Sequence, residues 1–380
     1  MAPDNNSHAT TFSFTREALE ARLRSLVAWL KQTPLFCTQR RAIITLLLGI
    51  PLFLCLGSWL LGLIRVSDVA RLSELKGLVH TRHDEETQWE PAHLNQMLGR
   101  KHWVRTGTDS GATLLFFDVS TVDLEEETEV SIAQISKRRG GNGVDVVLKV
   151  WLGETAVRAV RFLDPSSSFR VDTPTASTVV RGARFNVQVA DDGSTQIDLE
   201  TGSAEVEVNG QVVELAMGQR ITLEPDGLYE VEQVFEPDAQ PVIDKVNAAL
   251  AAPGDEFRLE LTENEVNQFL AAMSEDPDFA LHDTQIWFVD GEARVATLVV
   301  DPIRFDLSAA LDAQVEDGEI KPQMKAMAAG VILPVPVSLL SPALDQVLSQ
   351  QEAYLTQAYD LIQFSDVQFK DENIVVVGQK

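Results

Sequence analysis

The sequence predicts a mainly β ectodomain, then an α+β C-terminal domain with a long helix on a curved antiparallel sheet, and one transmembrane helix ahead of both. Three observations predict this. An uncharged apolar run extends from Ala42 to Ile64, short alternating segments fill Leu78 to about Leu228, and apolar residues recur at helical spacing between Ser338 and Leu361. At 45% hydrophobic and 23% charged residues, the composition is that of a folded chain. The net charge of −26 argues against nucleic acid and against an anionic lipid surface as partners of the soluble part. Cys37 and Cys55 are the only cysteines and both lie near or within the apolar run, so packed cores rather than disulfides must stabilise the rest of the chain.

Residues 1–41 form a short tail. From Thr15 the apolar Leu19, Leu23, Leu26, Val27 and Leu30 recur at helical spacing, which predicts an amphipathic helix. Arg22, Leu23, Leu26, Trp29 and Leu30 would place it on the inner membrane surface or dock it on a cytoplasmic partner. Residues 42–64, AIITLLLGIPLFLCLGSWLLGLI, would span roughly 34 Å as a helix, enough for a hydrocarbon core. This apolar core is longer than a signal peptide's and no small-residue cleavage site follows it. Arg40 and Arg41 abut its start and Arg16, Arg22, Arg24 and Lys31 precede it, so the tail is expected in the cytoplasm and the C-terminal region outside the plasma membrane.

Residues 65–228 read as a β-domain, with alternating runs such as Thr113–Phe117, Val144–Val150, Thr195–Leu199, Ala204–Val208 and Gln211–Leu215. Asp192-Gly193 and Asn209-Gly210 suit tight hairpin turns. In residues 229–256 the alternation stops, and prolines bracket a short helical piece around Val242–Leu250, the mark of a linker. Residues 257–380 open with a capping box, Thr262 to Glu265, that starts a helix with Val266, Phe269 and Leu270 inward. A meander comes next, with turns at Asp290-Gly291 and Asp317-Gly318; then comes a long helix over Ser338–Leu361, and two closing strands flank Asp371-Glu372.

Signatures of catalysis are missing. No G-x-S-x-G elbow, H-E-x-x-H helix, C-x-x-C pair or phosphate-binding loop occurs, so neither an enzyme nor a cofactor is expected. His80, His83, His93 and His102 lack paired ligand spacing, and the acidic run Asp123–Glu127 lacks the calcium-loop order, so no metal is expected either.

Gly77-Leu78-Val79, Trp89, Leu98-Gly99, Val104-Arg105-Thr106-Gly107, Asp109-Ser110-Gly111-Ala112 and Phe117-Asp118 resemble the opening of the FecR domain. The resemblance continues through Phe169–Ala176, Val180-Arg181-Gly182-Ala183-Arg184-Phe185-Asn186-Val187 and Ala216-Met217-Gly218-Gln219, covering roughly residues 77–225. It implies an extracytoplasmic β-domain, wound as a solenoid, of the kind found in iron-transport signal transducers. Gly182 stands where two strand-like runs meet, a place for a bend or a close backbone approach, and Val179, Phe185, Val187 and Val189 are assigned to the core. The signalling members carry a complete anti-sigma domain inside the cell, whereas residues 1–41 hold one helix. Residues 257–380 are similar to the lipid-binding tubular (TULIP-like) domains of envelope proteins. By that resemblance Ile332, Leu333, Val335, Leu339 and Leu340 line a groove for an acyl chain; the alternative is that they fill a helix-on-sheet core.

These readings predict a membrane-anchored extracytoplasmic binding or sensing protein, with the plasma membrane, a lipid and an envelope protein as candidate partners. A transmembrane signalling regulator acting through Thr15–Gln32 and a ligand-free envelope scaffold are the alternatives.

Overall fold

Alternating apolar residues dictate strands, and the strands decide the architecture. A computed structural model describes residues 69–117, 119–137, 144–161, 167–274, 281–289, 291–299, 305–330 and 363–380. Ser67–Lys380 makes one unit by its internal contacts. Its first part holds β1 (Ala70–Lys76), β2 (Val79–His83), β3 (Glu90–Pro91), β4 (Met97–Leu98), β5 (His102–Thr106), β6 (Gly111–Phe116), β7 (Ser120–Leu124) and β8 (Glu129–Lys137). Next come β9 (Val144–Ala159), β10 (Ser168–Asp172), β11 (Ser177–Val189), β12 (Thr195–Val208), β13 (Gln211–Leu215), β14 (Gln219–Leu223) and β15 (Tyr229–Gln233). All belong to one 15-stranded sheet whose main path runs β15-β14-β12-β11-β10-β9-β7-β6-β1-β4.

This sheet corrects the solenoid expectation. Its strands pair antiparallel, by hairpins and longer returns, and only β9 with β10 runs parallel, whereas solenoid coils stack parallel strands throughout. Long strands bend to close it. Thr195–Leu199 and Ala204–Val208, read as separate runs, are the two ends of β12; one end pairs with β14 and the other with β13. The bend falls at Gly202, whose φ of +90° suits glycine and whose Cβ would stand 2.6 Å from the Gly182 carbonyl oxygen. Leu72, Leu114, Phe116, Val122, Ile132, Leu148, Phe185, Val187, Ile197 and Ile221 form the enclosed core.

The segment expected to be a linker holds β15 and then α1 (Gln240–Ala251), close to the helix placed at Val242–Leu250. The alternation therefore runs on through Tyr-Glu-Val-Glu-Gln rather than stopping at residue 229, and all five of these residues are exposed.

The C-terminal part corrects the single curved sheet. β16 (Glu256–Thr262), β21 (Gln363–Lys370) and β22 (Asn373–Gln379) form a three-stranded sheet, order β16-β22-β21. β17 (Leu281–Val289), β18 (Glu292–Val299), β19 (Phe305–Glu316) and β20 (Glu319–Gly330) form a separate four-stranded meander. Asp317 and Gly318 both have positive φ, 58° and 83°, as the turn between β19 and β20 requires. α2 (Glu263–Met273) begins with the expected box: Thr262 Oγ1 accepts from Glu265 N at 3.2 Å and Glu265 Oε2 accepts from Thr262 N at 2.9 Å. The helices described are 12 and 11 residues long, and among the described residues none is long and apolar enough to cross a membrane. The fold is therefore strand-dominated, without the long helix or the transmembrane helix in its described part. Ala42–Ile64 and Ser338–Leu361 lie outside the described residues.

Candidate functional site

The two parts of the unit meet at a buried ion pair. Arg158, near the end of β9, donates from Nε to Glu263 Oε1 at 3.0 Å and from Nη2 to Glu263 Oε2 at 2.7 Å, a bidentate fork with both side chains 3% exposed. Its remaining protons reach the carbonyls of Phe288 at 2.8 Å and Val119 at 3.2 Å. Arg184 from β11 approaches Glu263 at 3.9 Å and bonds Glu372 at 2.6 Å. Burial alone would lower the Arg158 pKa; the hydrogen bond and charge of Glu263, with Glu372 and Asp371 behind it, hold it above its ordinary value.

Two polar residues of α2 face inward because of the groups they touch. Glu263 Oε2 accepts from Phe288 N at 2.9 Å, and Asn267, four residues on, exchanges two 2.7 Å bonds with the N–H and C=O of Ile286. Residues i and i+4 on a helix lie on one face about one turn apart, close to the spacing of residues i and i+2 on a strand. The helix therefore satisfies the outer edge of β17, which would otherwise present unpaired amides. Glu263 and Asn267 are buried, while Val266, Phe269 and Leu270, expected inward, are only half-buried.

Trp287, between those two edge residues, points the other way and is 2% exposed. It packs with Val160 and Ala296, with Val119 and Val289 against them. A Cβ on Gly182 would stand 2.5 Å from the Trp287 ring and 2.9 Å from Arg161 Cβ, so the glycine of the Arg181–Phe185 motif is required by the C-terminal part's indole.

Beside this junction opens a cleft of about 1120 Å³. One wall carries Arg181, Ser203 and Glu205 from β11 and β12, with Ala216, Met217 and Gln219. Asp283, Thr284, Gln285 and Thr297, from the bulged start of β17 and from β18, face them, with Ser274. Arg161 and Glu214 add further charge. Thr284 and Thr297, both buried, share a 2.7 Å hydroxyl bond. Its lining offers hydroxyls, amides and charges of both signs. Val179, assigned to the core from sequence, is half-buried and lines the cleft, whereas Phe185, Val187 and Val189 are buried as expected.

Asp123 feels the junction from β7. Burial raises its pKa and the carboxylates of Glu372 and Glu74 add to the rise, against the Thr113 hydroxyl at 2.6 Å and the Arg184 charge. A folded pKa above the unfolded one contributes stability below the unfolded value and loses it as pH rises through the folded value. Asp123→Asn should thus stabilise the protein at neutral pH, with the gain shrinking towards pH about 4. Urea denaturation at both pH values checks this, and a less stable variant at neutral pH would contradict it.

The motif residues of the first strands are structural. Leu78 N donates to Ser110 Oγ at 2.8 Å, and Thr106 Oγ1 accepts from Thr128 N at 2.9 Å. Arg105 and Arg82 lie over the Trp89 ring at 4.5 and 5.0 Å; Arg82 also covers Trp103, which stacks on Trp151. The His83 and His102 rings meet edge to face at 5.0 Å. The tail residues Arg22, Leu23, Leu26, Trp29 and Leu30, and the groove residues Ile332, Leu333, Val335, Leu339 and Leu340, lie outside the described residues. Arg158, Glu263, Asn267, Trp287 and Asp283–Gln285 were not singled out from sequence. Trp287, in the apolar run Ile286–Val289, gave the one usable signal.

One family model matches part of this β-domain. Residues 102–205 match the family described as FecR protein, so the chain carries a FecR domain from β5 into β12. Two solved structures from Parabacteroides distasonis, each described as a candidate anti-sigma factor, are similar to it. One is 21% identical, covers 42% of this chain and 66% of its own, just under two thirds, with a TM-score of 0.30. The other is 16% identical and covers 73% of this chain and 99% of its own, also at 0.30. No curated protein matches the chain.

Proposed function

We propose that this chain is an extracytoplasmic binding and sensing protein of the FecR type, in which a polar polypeptide segment of an envelope partner occupies the cleft between the FecR domain and the C-terminal sheets. The observation that carries this reading is the provenance of the cleft wall. Arg181 of the Arg-Gly-Ala-Arg-Phe motif and Ala216, Met217 and Gln219 of the closing motif meet Asp283, Thr284 and Gln285 across it. A segment bound there touches both parts at once, at Arg181 next to Gly182 in the chain and at Gln285 two residues before Trp287. Guanidinium, hydroxyl and amide groups suit the carboxylates and backbone of a peptide, and the two signs of charge favour a mixed sequence.

A photo-crosslinking residue at Ser203, exposed in the cleft, tests this in cells of the native host, with exposed Gln188 on β11 as control. One discrete protein adduct from position 203, absent from position 188 and lost in Arg181→Glu, is the expected result. Equal labelling from both positions, or adducts indifferent to Arg181→Glu, would contradict it.

A further inference from the structure

β15 is an edge strand. Among the described residues it pairs with β14 alone, and all five of its residues are exposed. The phase of that pairing is fixed at both ends, by Glu224 N to the Leu228 carbonyl at 2.9 Å and Val234 N to the Gly218 carbonyl at 2.7 Å. Antiparallel pairs alternate, so Leu228, Glu230, Glu232 and Val234 turn their backbone groups towards β14. Tyr229, Val231 and Gln233 then present theirs to solvent, with no partner among the described residues.

No lysine, proline or bulge blunts the edge between Tyr229 and Gln233; its guards are its short length and the charges of Glu230 and Glu232, which repel an acidic strand and admit a basic one. Apolar surface accompanies the free amides: Leu228 is 68%, Tyr229 43%, Val231 38% and Val234 49% exposed. The surrounding charge has one sign. Glu224, Asp226, Glu230, Glu232, Glu236 and Asp238 flank or occupy the strand, and no Lys, Arg or His lies between Ile221 and Asp244. Arg220 pairs with Glu232 at 3.3 Å and with Asp198, so it does not reverse that balance.

We infer that β15 accepts, by strand addition, an extended partner segment that alternates apolar and basic residues. Backbone bonds to Tyr229, Val231 and Gln233 supply the pairing, and lysine or arginine beside Glu230 and Glu232 supplies selectivity. A second copy of this chain is a poor occupant: antiparallel self-pairing about Val231 sets Glu230 directly against Glu232 of the other copy, and like charges in that position repel.

The test uses the full-length protein and three fluorescent octapeptides: alternating valine–lysine, alternating valine–glutamate, and valine–lysine N-methylated on one backbone edge. Anisotropy should show saturable binding of the first and none of the second. N-methylation should weaken binding at least about tenfold, as should Val231→Pro, whose lost N–H faces outward and serves no bond to β14. Glu230→Lys should weaken the valine–lysine peptide as well. Failure of the valine–lysine peptide to bind would overturn the inference. So would binding that persists after N-methylation, since that marks charge attraction without strand addition.

Discussion

Replacing Arg158 by alanine is expected to cost about 3–5 kcal/mol of unfolding free energy, because it leaves the Glu263 carboxylate buried at the junction with only the Phe288 amide and a distant Arg184 for company. Glu263→Ala should cost a similar amount, since it removes the buried guanidinium's bidentate partner, leaving only the more exposed Asp371 and Glu372 at 3.7 and 3.8 Å, and frees the edge of β17 together. Apolar replacement of both, Arg158→Met with Glu263→Leu, should recover much of the loss, because no ion is then desolvated. Urea denaturation of the four proteins measures the coupling. Single losses below about 1 kcal/mol would mean that water reaches the pair and that it resembles a surface ion pair.

The second large effect is expected at Gly182. Alanine there must push the Trp287 ring or the Arg161 stem aside, so about 1–3 kcal/mol should be lost; Trp287→Ala, which empties the socket, should cost about 3–5 kcal/mol. The two changes share one contact and should not add. Gly182→Ala should therefore cost much less when Trp287 is already alanine. Thermal melting of the two single variants and the double variant gives the answer, and strictly additive losses would show that the glycine is not there to admit the Trp287 ring.

Local chemistry was legible in the sequence and distant pairing was not. The turns at Asn209-Gly210 and Asp317-Gly318 and the capping box at Thr262 could be read because each is set by residues within four positions of one another. The strands of the meander could be read from alternation, and Gly182 was read as a bend or a close backbone approach, whereas what stands against it is the Trp287 ring. The burial of Glu263 and Asn267 has no local signal, since the groups that turn them inward belong to Arg158, 105 residues earlier, and to a strand edge 19 to 25 residues later. β12 looked like two strands because Gly202 interrupts the alternation, yet its bend keeps one ladder with β11 across the bulge. The three-stranded sheet was missed for a similar reason. β16 finds its partners near the C-terminus, and no short-range pattern announces a pairing across that distance. β15 was passed over, although its five exposed residues alternate.

Native-state hydrogen exchange on the full chain tests most directly whether the FecR domain and the C-terminal sheets act as one cooperative body. The Ile286 and Phe288 amides, bonded to Asn267 and Glu263, should open with the same free energy as the Phe185 and Val187 amides of β11, and Arg158→Ala should lower all four together. If the β17 amides exchange far faster than those of β11, or Arg158→Ala releases them and leaves β11 untouched, the two parts open independently and a cleft shared between them cannot couple one to the other.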